Sequence, residues 1–157
     1  MWDESGWAEP ADCPYNLVAT SVDLVRHVNQ VVECAVELGR VASRWLDVEV
    51  DEDVIVAAGT LHDASKLVEY EPGPGGHPRG SDLGRRLVHG EYAARAAAEE
   101  GLPAKVVEIV VNHTTASPQV PGTVEALCVY YADMCAADLA RLQAGAPLHV
   151  ARAKAPR

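Results

Sequence analysis

The strongest constraint on how this chain can fold is the placing of six polar residues: His27, His62, Asp63, His89, His113 and Asp133. All lie inside or at the ends of otherwise apolar segments with a helical period, and apart from the pair at 62 and 63 each lies in a different segment. Taken singly, each histidine reads as a hydrogen-bonded core residue. Taken together they do not, because four imidazoles and two carboxylates buried without partners would cost several kcal/mol each. A bound cation satisfies all of them at once, so the fold must bring these segments to one place. Imidazole and carboxylate without thiolate suit Mn, Fe, Co, Ni or Zn rather than a soft-metal site. Six protein ligands are too many for one catalytic metal with open positions, so two metals are expected, with Asp63 placed to bridge them.

The segments themselves read as helices. Apolar residues at 24, 28, 31, 32, 35 and 38 predict one long helix, or two joined near Gly39, within residues 17–46. Asp51 or Asp53 is placed to cap a second helix that runs to about Val68. The stretch "EPGPGGHPRGSD", residues 71–82, reads as a loop, a lid or access segment. Its glycines follow no strand and do not match a phosphate-binding loop. "LGRRLVHGEYAARAAAEEG" and "PAKVVEIVVNHTT" predict two more helices. The last main helix, "TVEALCVYYADMCAADLARLQAG", is apolar on nearly every side and is expected to be buried. No segment alternates as a strand would. The expectation is an all-α bundle of five to six main helices over residues 17–145. An arm at 1–16 carries Trp2 and Trp7 and packs on the body or on a partner, and a flexible tail follows at 146–157.

Composition narrows the function. With 157 residues the chain is one domain with a real core, and 48% hydrophobic content without any Phe implies packing from small and branched side chains. The net charge of -10 and the scatter of the 13 Lys and Arg disfavour an extended nucleic-acid surface, which leaves a small molecule as the expected partner. No apolar run approaches the ~20 residues that cross a bilayer, and the acidic N-terminal stretch does not read as a secretory signal. A cytoplasmic protein without a membrane partner is expected. Cys13, Cys34, Cys128 and Cys135 have no C-x-x-C spacing and read as small buried hydrophobes rather than disulfides or zinc ligands.

The order His27, then "HD" at 62 and 63, His89 in "LVHGEYAA", His113 in "VVNHTT" and Asp133 in "YYADM" resembles the HD-domain superfamily of metal-dependent phosphohydrolases over about residues 20–142. In its motif context the chain is similar to small HD hydrolases that split diadenosine tetraphosphate symmetrically. The resemblance implies a compact HD-domain helical bundle, with one metal held by His27, His62, Asp63 and Asp133 and the other by Asp63, His89 and His113. The metals would be divalent, Fe or Mn foremost, then Co, Ni or Zn. The implied reaction is hydrolysis of a nucleotide-like phosphoester or phosphoanhydride by a hydroxide between the metals, with Asp63 catalytic. Lys66 lies on the same helical face as His62 and Asp63, so its ammonium can meet a phosphoryl oxygen as a catalytic and substrate-binding group. Arg85 and Arg86 are further substrate-binding candidates, and Asn112 and Asp138 are candidates for orienting ligands. A homodimer is compatible with this reading.

A second class stays open. Some HD-fold proteins use a similar set to hold two irons and activate dioxygen on a diol or an aminophosphonate. The short separation of His113 and Asp133 and the "HGEYAA" and "NHTT" context resemble the hydrolases more closely. A metal-stabilised interaction module would need a closed site, against which the loop at 71–82 argues.

Overall fold

Helix α1, Leu24–Leu46, starts where the side chain of Asp23 accepts the Arg26 N–H, and it buries Leu24, His27, Val31 and Ala35 along one face. The computed structural model describes residues 2–115, 117 and 119–153, and the backbone alone of Trp2, Arg152 and Ala153. The helical stretch expected from residue 17 therefore begins later. Its first residues instead form a turn, in which the Asn16 side chain accepts the Val18 N–H at 2.7 Å and Tyr15 donates its N–H to the Val22 carbonyl at 3.1 Å. From Leu24 onward α1 is one continuous helix through Gly39.

Asp51 caps α2, Glu52–Leu61, through the Val54 N–H. The expected run to Val68 is interrupted: i to i+3 bonds from Ala64 to Leu61 and from Lys66 to Asp63 tighten the chain into a turn, and the short α3 follows at Lys66–Glu69. The segment read as loop holds a small antiparallel hairpin, β1 (Tyr70–Pro72) with β2 (Pro78–Gly80), in the register Tyr70 to Gly80. The next helix, expected from residue 83, is α4 at Glu91–Glu99. Residues 82–88 are turns because Gly90, at φ 85°, breaks the helix, and because Gly84 presses so closely on the Glu69 backbone that no Cβ would fit.

Helix α5, Ala104–Val111, follows Pro103, and α6, Val124–Gln143, is capped by Thr123. Helices α1, α2, α5 and α6 close on a core of Val31, Ile55, Ile109, Val110 and Val129 with many alanines, whose small side chains let the backbones approach. The all-α class is borne out, with one two-stranded hairpin among the described residues. Helix α6 departs from expectation. It buries Ala126, Val129, Ala132 and Ala136 but leaves Leu127, Tyr131, Leu139 and Leu142 exposed, because the other helices cover only its inner face. Cys135 falls on that outer stripe and is exposed, Cys34 is half-buried, and Cys13 and Cys128 are buried as expected.

At the N-terminus, Trp7 donates its indole N–H to the Tyr70 carbonyl at 3.2 Å and Tyr92 donates its hydroxyl to Glu4 at 2.6 Å, so the arm rests on the body. The Trp2 side chain lies outside those described. At the other end, part of the expected tail forms α7, His149–Ala153, whose first N–H groups donate to the Asp138 carboxylate; residues 154–157 lie outside the described residues. No described helix is long and apolar enough to cross a membrane.

Candidate metal centre

Apart from the adjacent His62 and Asp63, each member of the polar set is delivered by the end or the middle of a different element. His27 sits in the first turns of α1, His62 at the C-cap of α2, and Asp63 in the tight turn that ends it. His89 immediately precedes the Gly90 break before α4, His113 follows the Asn112 C-cap of α5, and Asp133 lies in mid-α6. The six converge as two groups, His27 with His62, Asp63 and Asp133, and Asp63 with His89 and His113; within each group the ligand atoms lie within 4.8 Å of one another. Asp63 belongs to both, with Oδ2 3.2 Å from His27 Nε2 and Oδ1 3.1 Å from His89 Nε2. All six are buried apart from the half-buried His89.

The hydrogen bonds on the far side of the rings fix how they point. His62 Nδ1–H donates to the Gly59 carbonyl and His113 Nδ1–H to the Val110 carbonyl, both at 2.6 Å. A carbonyl only accepts, so Nδ1 carries the hydrogen in each ring and Nε2 faces inward. His89 is held in the same sense by Glu69, 3.1 Å from Nδ1, and Ser65 Oγ donates to that carboxylate at 2.5 Å. Yet His113 Nε2 and His89 Nε2 lie 3.2 Å apart, and His62 Nε2 and His27 Nε2 3.4 Å apart. With Nδ1 carrying the hydrogen in both rings, the neutral His113 and His89 imidazoles set two lone pairs against each other at that distance, which repel unless something positive lies between them. Divalent metal ions fit this donor set of imidazole and carboxylate.

The protonation equilibria follow the same logic. Burial opposes charge on His27, but hydrogen bonds to Asp133 and Asp63 outweigh it and raise the imidazole to about 9. Burial likewise opposes charge on His89, while Asp63 and Glu69 raise it to about 9. His113, where burial wins, is lowered. Asp63 is held well below the usual carboxylate range despite its burial, chiefly by Lys66 and His62. Lys66 is buried with Nζ 3.3 Å from Asp63 Oδ1, and although burial opposes its charge, Asp63 keeps the ammonium charged.

Lys66, His89, Asp63 and Asp133 line a cavity of about 250 Å³ that also receives Tyr15, Thr114 and His149. Arg85 and Arg86 do not line it: Arg85 pairs with Asp82 and donates to the Gly80 carbonyl, and Arg86 is exposed. Asp138 is occupied with α7, and Asn112 Oδ1 is buried without a hydrogen-bond partner among the described residues. Sequence reasoning passed over Glu69, which braces His89, and Tyr15, whose ring stacks on His27 at 4.4 Å between centroids. Glu69 sits in a run of charged residues where nothing marks it, but its place three residues after Lys66 sets it on the same face. Tyr15 carries no such signal.

No solved structure matches the chain. Among curated proteins it is 32% identical over 111 residues to a dihydroneopterin 2',3'-cyclic phosphate phosphodiesterase of Methanocaldococcus jannaschii, a match that covers 70% of this chain and 44% of that protein. The chain thus spans less than half the length of that relative. The family described as HD domain matches residues 24–138, a span that starts at α1 and takes in every one of the six converging side chains, and the chain belongs to the HD domain family.

Proposed function

We propose that this chain hydrolyses a small phosphoester with the help of two divalent metal ions, Fe or Mn foremost, with His27, His62, Asp63 and Asp133 holding one and Asp63, His89 and His113 the other. The observation that carries the reading is the double use of Asp63, whose two oxygens reach into two sets of inward-facing imidazoles. Metal ions in such a pair supply Lewis acidity to a phosphoryl group and lower the pKa of water. Asp63, common to both groups, would offer one oxygen to each position. Lys66, held charged beside it, meets a phosphoryl oxygen in the cavity and stabilises the charge that grows there in the transition state. Glu69 keeps the proton on His89 Nδ1 and so keeps Nε2 directed inward.

Charge decides between substrates. Among the described residues Lys66 is the one Lys or Arg lining the cavity, set among Asp63 and Asp133. That suits a phosphodiester, whose single negative charge the metal ions and Lys66 can meet, better than a tetraphosphate, whose further phosphates would extend past the metal positions to walls without another described Lys or Arg. The similarity to a cyclic phosphate phosphodiesterase supports the same choice, so a 2',3'-cyclic phosphate ester is the first substrate to try and diadenosine tetraphosphate the second. The test is an anaerobic screen of cyclic phosphodiesters, phosphomonoesters and dinucleotide polyphosphates with Mn, Fe, Co, Ni and Zn supplied in turn. Metal-dependent release of a phosphomonoester or phosphate is expected. Failure of every phosphoester, with dioxygen consumption by an iron-loaded sample given a diol or aminophosphonate, overturns the reading in favour of an oxygenase.

A further inference from the structure

The cavity over the polar set has a neighbour. A second cavity of about 350 Å³ lies between α6 and α7 and shares Thr115, Met134 and His149 with the first, so the two adjoin at a common wall. Their linings differ. The first contains Asp63, Lys66, His89 and Asp133; the second is walled by Tyr130, Tyr131, Met134 and Val150, with Asp138 as its one carboxylate. Helix α6 makes the division, since Asp133 turns to the polar chamber while Tyr130, Met134 and Asp138, spaced four residues apart, line the apolar one.

Among the described residues this chamber offers a phosphate no Lys or Arg, and its carboxylate repels one. It accepts a flat, neutral body against two tyrosine rings and a thioether. Asp138 adds a directional demand. Its oxygens accept the His149 N–H at 2.5 Å and the Val150 N–H at 3.1 Å, and a carboxylate has further lone-pair sites beyond these two. A ring presenting an amide N–H beside an amino group, as guanine does, matches those free sites with two parallel hydrogen bonds; adenine presents no such paired edge.

We propose that the chamber between α6 and α7 binds a neutral bicyclic heteroaromatic ring carried by the phosphoester, with its amide and amino N–H edge facing Asp138. The proposal rests on the phosphoester reading of the adjoining site and gives it a substrate class. The ring packs on Tyr130 and Met134, and its linker passes Thr115 and His149 to bring the phosphoryl group to Lys66 and Asp63. Asp138 acts as a specificity residue and also caps α7, so ring recognition and the closing of this wall use the same carboxylate.

Two measurements on the full, metal-loaded chain test it. The first is calorimetric binding of the nucleosides guanosine and adenosine, which carry the ring and no phosphate. Guanosine should bind more tightly; Tyr130→Ala should weaken it about tenfold, and Asp138→Asn, which keeps an oxygen to cap α7, should lower the guanosine to adenosine ratio by about the same factor. The second compares kcat/KM for guanosine, adenosine and cytidine 2',3'-cyclic phosphates with glycerol 1,2-cyclic phosphate, which has no ring. A KM lowest for the guanine ester supports the chamber. Equal KM values for all four esters, with no guanosine binding, overturn it while leaving the hydrolase reading intact. Guanosine binding that Tyr130→Ala abolishes, with no ester hydrolysed under any metal, sinks the hydrolase reading and leaves the chamber standing.

Discussion

At Asp63 a single carboxylate faces four imidazoles and an ammonium, with Lys66 Nζ at 3.3 Å and His27, His62, His89 and His113 Nε2 at 3.2, 3.4, 3.1 and 3.7 Å. In the proposed two-metal reading, its removal strips both positions of a shared ligand. Asp63→Ala is therefore expected to abolish hydrolysis and release bound metal, whereas Lys66→Ala lowers turnover with the metal content unchanged; elemental analysis beside kinetics separates the two, and equal metal loss would make Lys66 a structural residue. Glu69→Gln tests the brace on His89. It should weaken metal affinity about 10–100-fold, read by competition with a chelator. The six converging side chains were legible in the sequence because histidine and aspartate stand out against alanine and valine. Glu69 was not, because in "SKLVEYEP" a glutamate is unremarkable until the turn at 62–65 swings it beneath His89.

The elements were legible as helices and mislaid at their ends. A hydrophobic period marks where a helix has a core to face, but caps and tight turns decide where it stops, and these are local competitions between backbone partners. The turn at 62–65 shows it: the apolar pattern runs on to Val68, yet i to i+3 bonds tighten the chain so that Asp63 enters the site. The same holds at Gly90, where a Cβ would stand 2.9 Å from the Val110 carbonyl oxygen and 3.3 Å from His113 Cε1 on a backbone with φ 85°. Gly90→Ala should cost about 1–3 kcal/mol in urea unfolding and displace His113. A third element-scale device is Glu125, buried at the start of α6, which accepts the Asp51 N–H at 3.0 Å and Lys105 Nζ at 2.8 Å and so ties α2 and α5 to α6. Burial would raise its carboxyl, but Lys105 and the Asp51 N–H hold it below its ordinary value. A depressed folded-state pKa stabilises above the unfolded value near 4.3 and loses that contribution as pH falls through the folded one. Glu125→Gln should therefore be less stable than the parent chain by about 1 kcal/mol at pH 7, with the gap closing as pH drops below 4.

At the scale of the molecule, the all-α class was readable from period and composition, while the outward apolar stripe of α6 was not, because periodicity reports a helix's hydrophobic faces and says nothing of which neighbour covers each one. The proposed metal ligands come from α1, the end of α2, the segments before α4 and after α5, and mid-α6, so sequence positions from 27 to 133 meet at one point. Ions bound there would cross-link the whole bundle, and an ion that binds only the folded arrangement stabilises it by mass action, about 2.7 kcal/mol at one hundred times the dissociation constant. For a chain of this length that corresponds to a rise of roughly 5–10 °C in Tm. The metal-free protein has a reason to be weaker than its packing suggests, since two pairs of Nε2 atoms face each other at 3.2 and 3.4 Å with only protons to separate them. Scanning calorimetry at pH 7.5 on chelator-treated protein, then with Mn restored, should show that rise. Asp63→Ala should remove it and Lys66→Ala should keep it. A Tm indifferent to chelation and to Mn, in protein whose circular dichroism is fully helical, would mean that the six side chains are held by protons alone and that this bundle is not organised around metal.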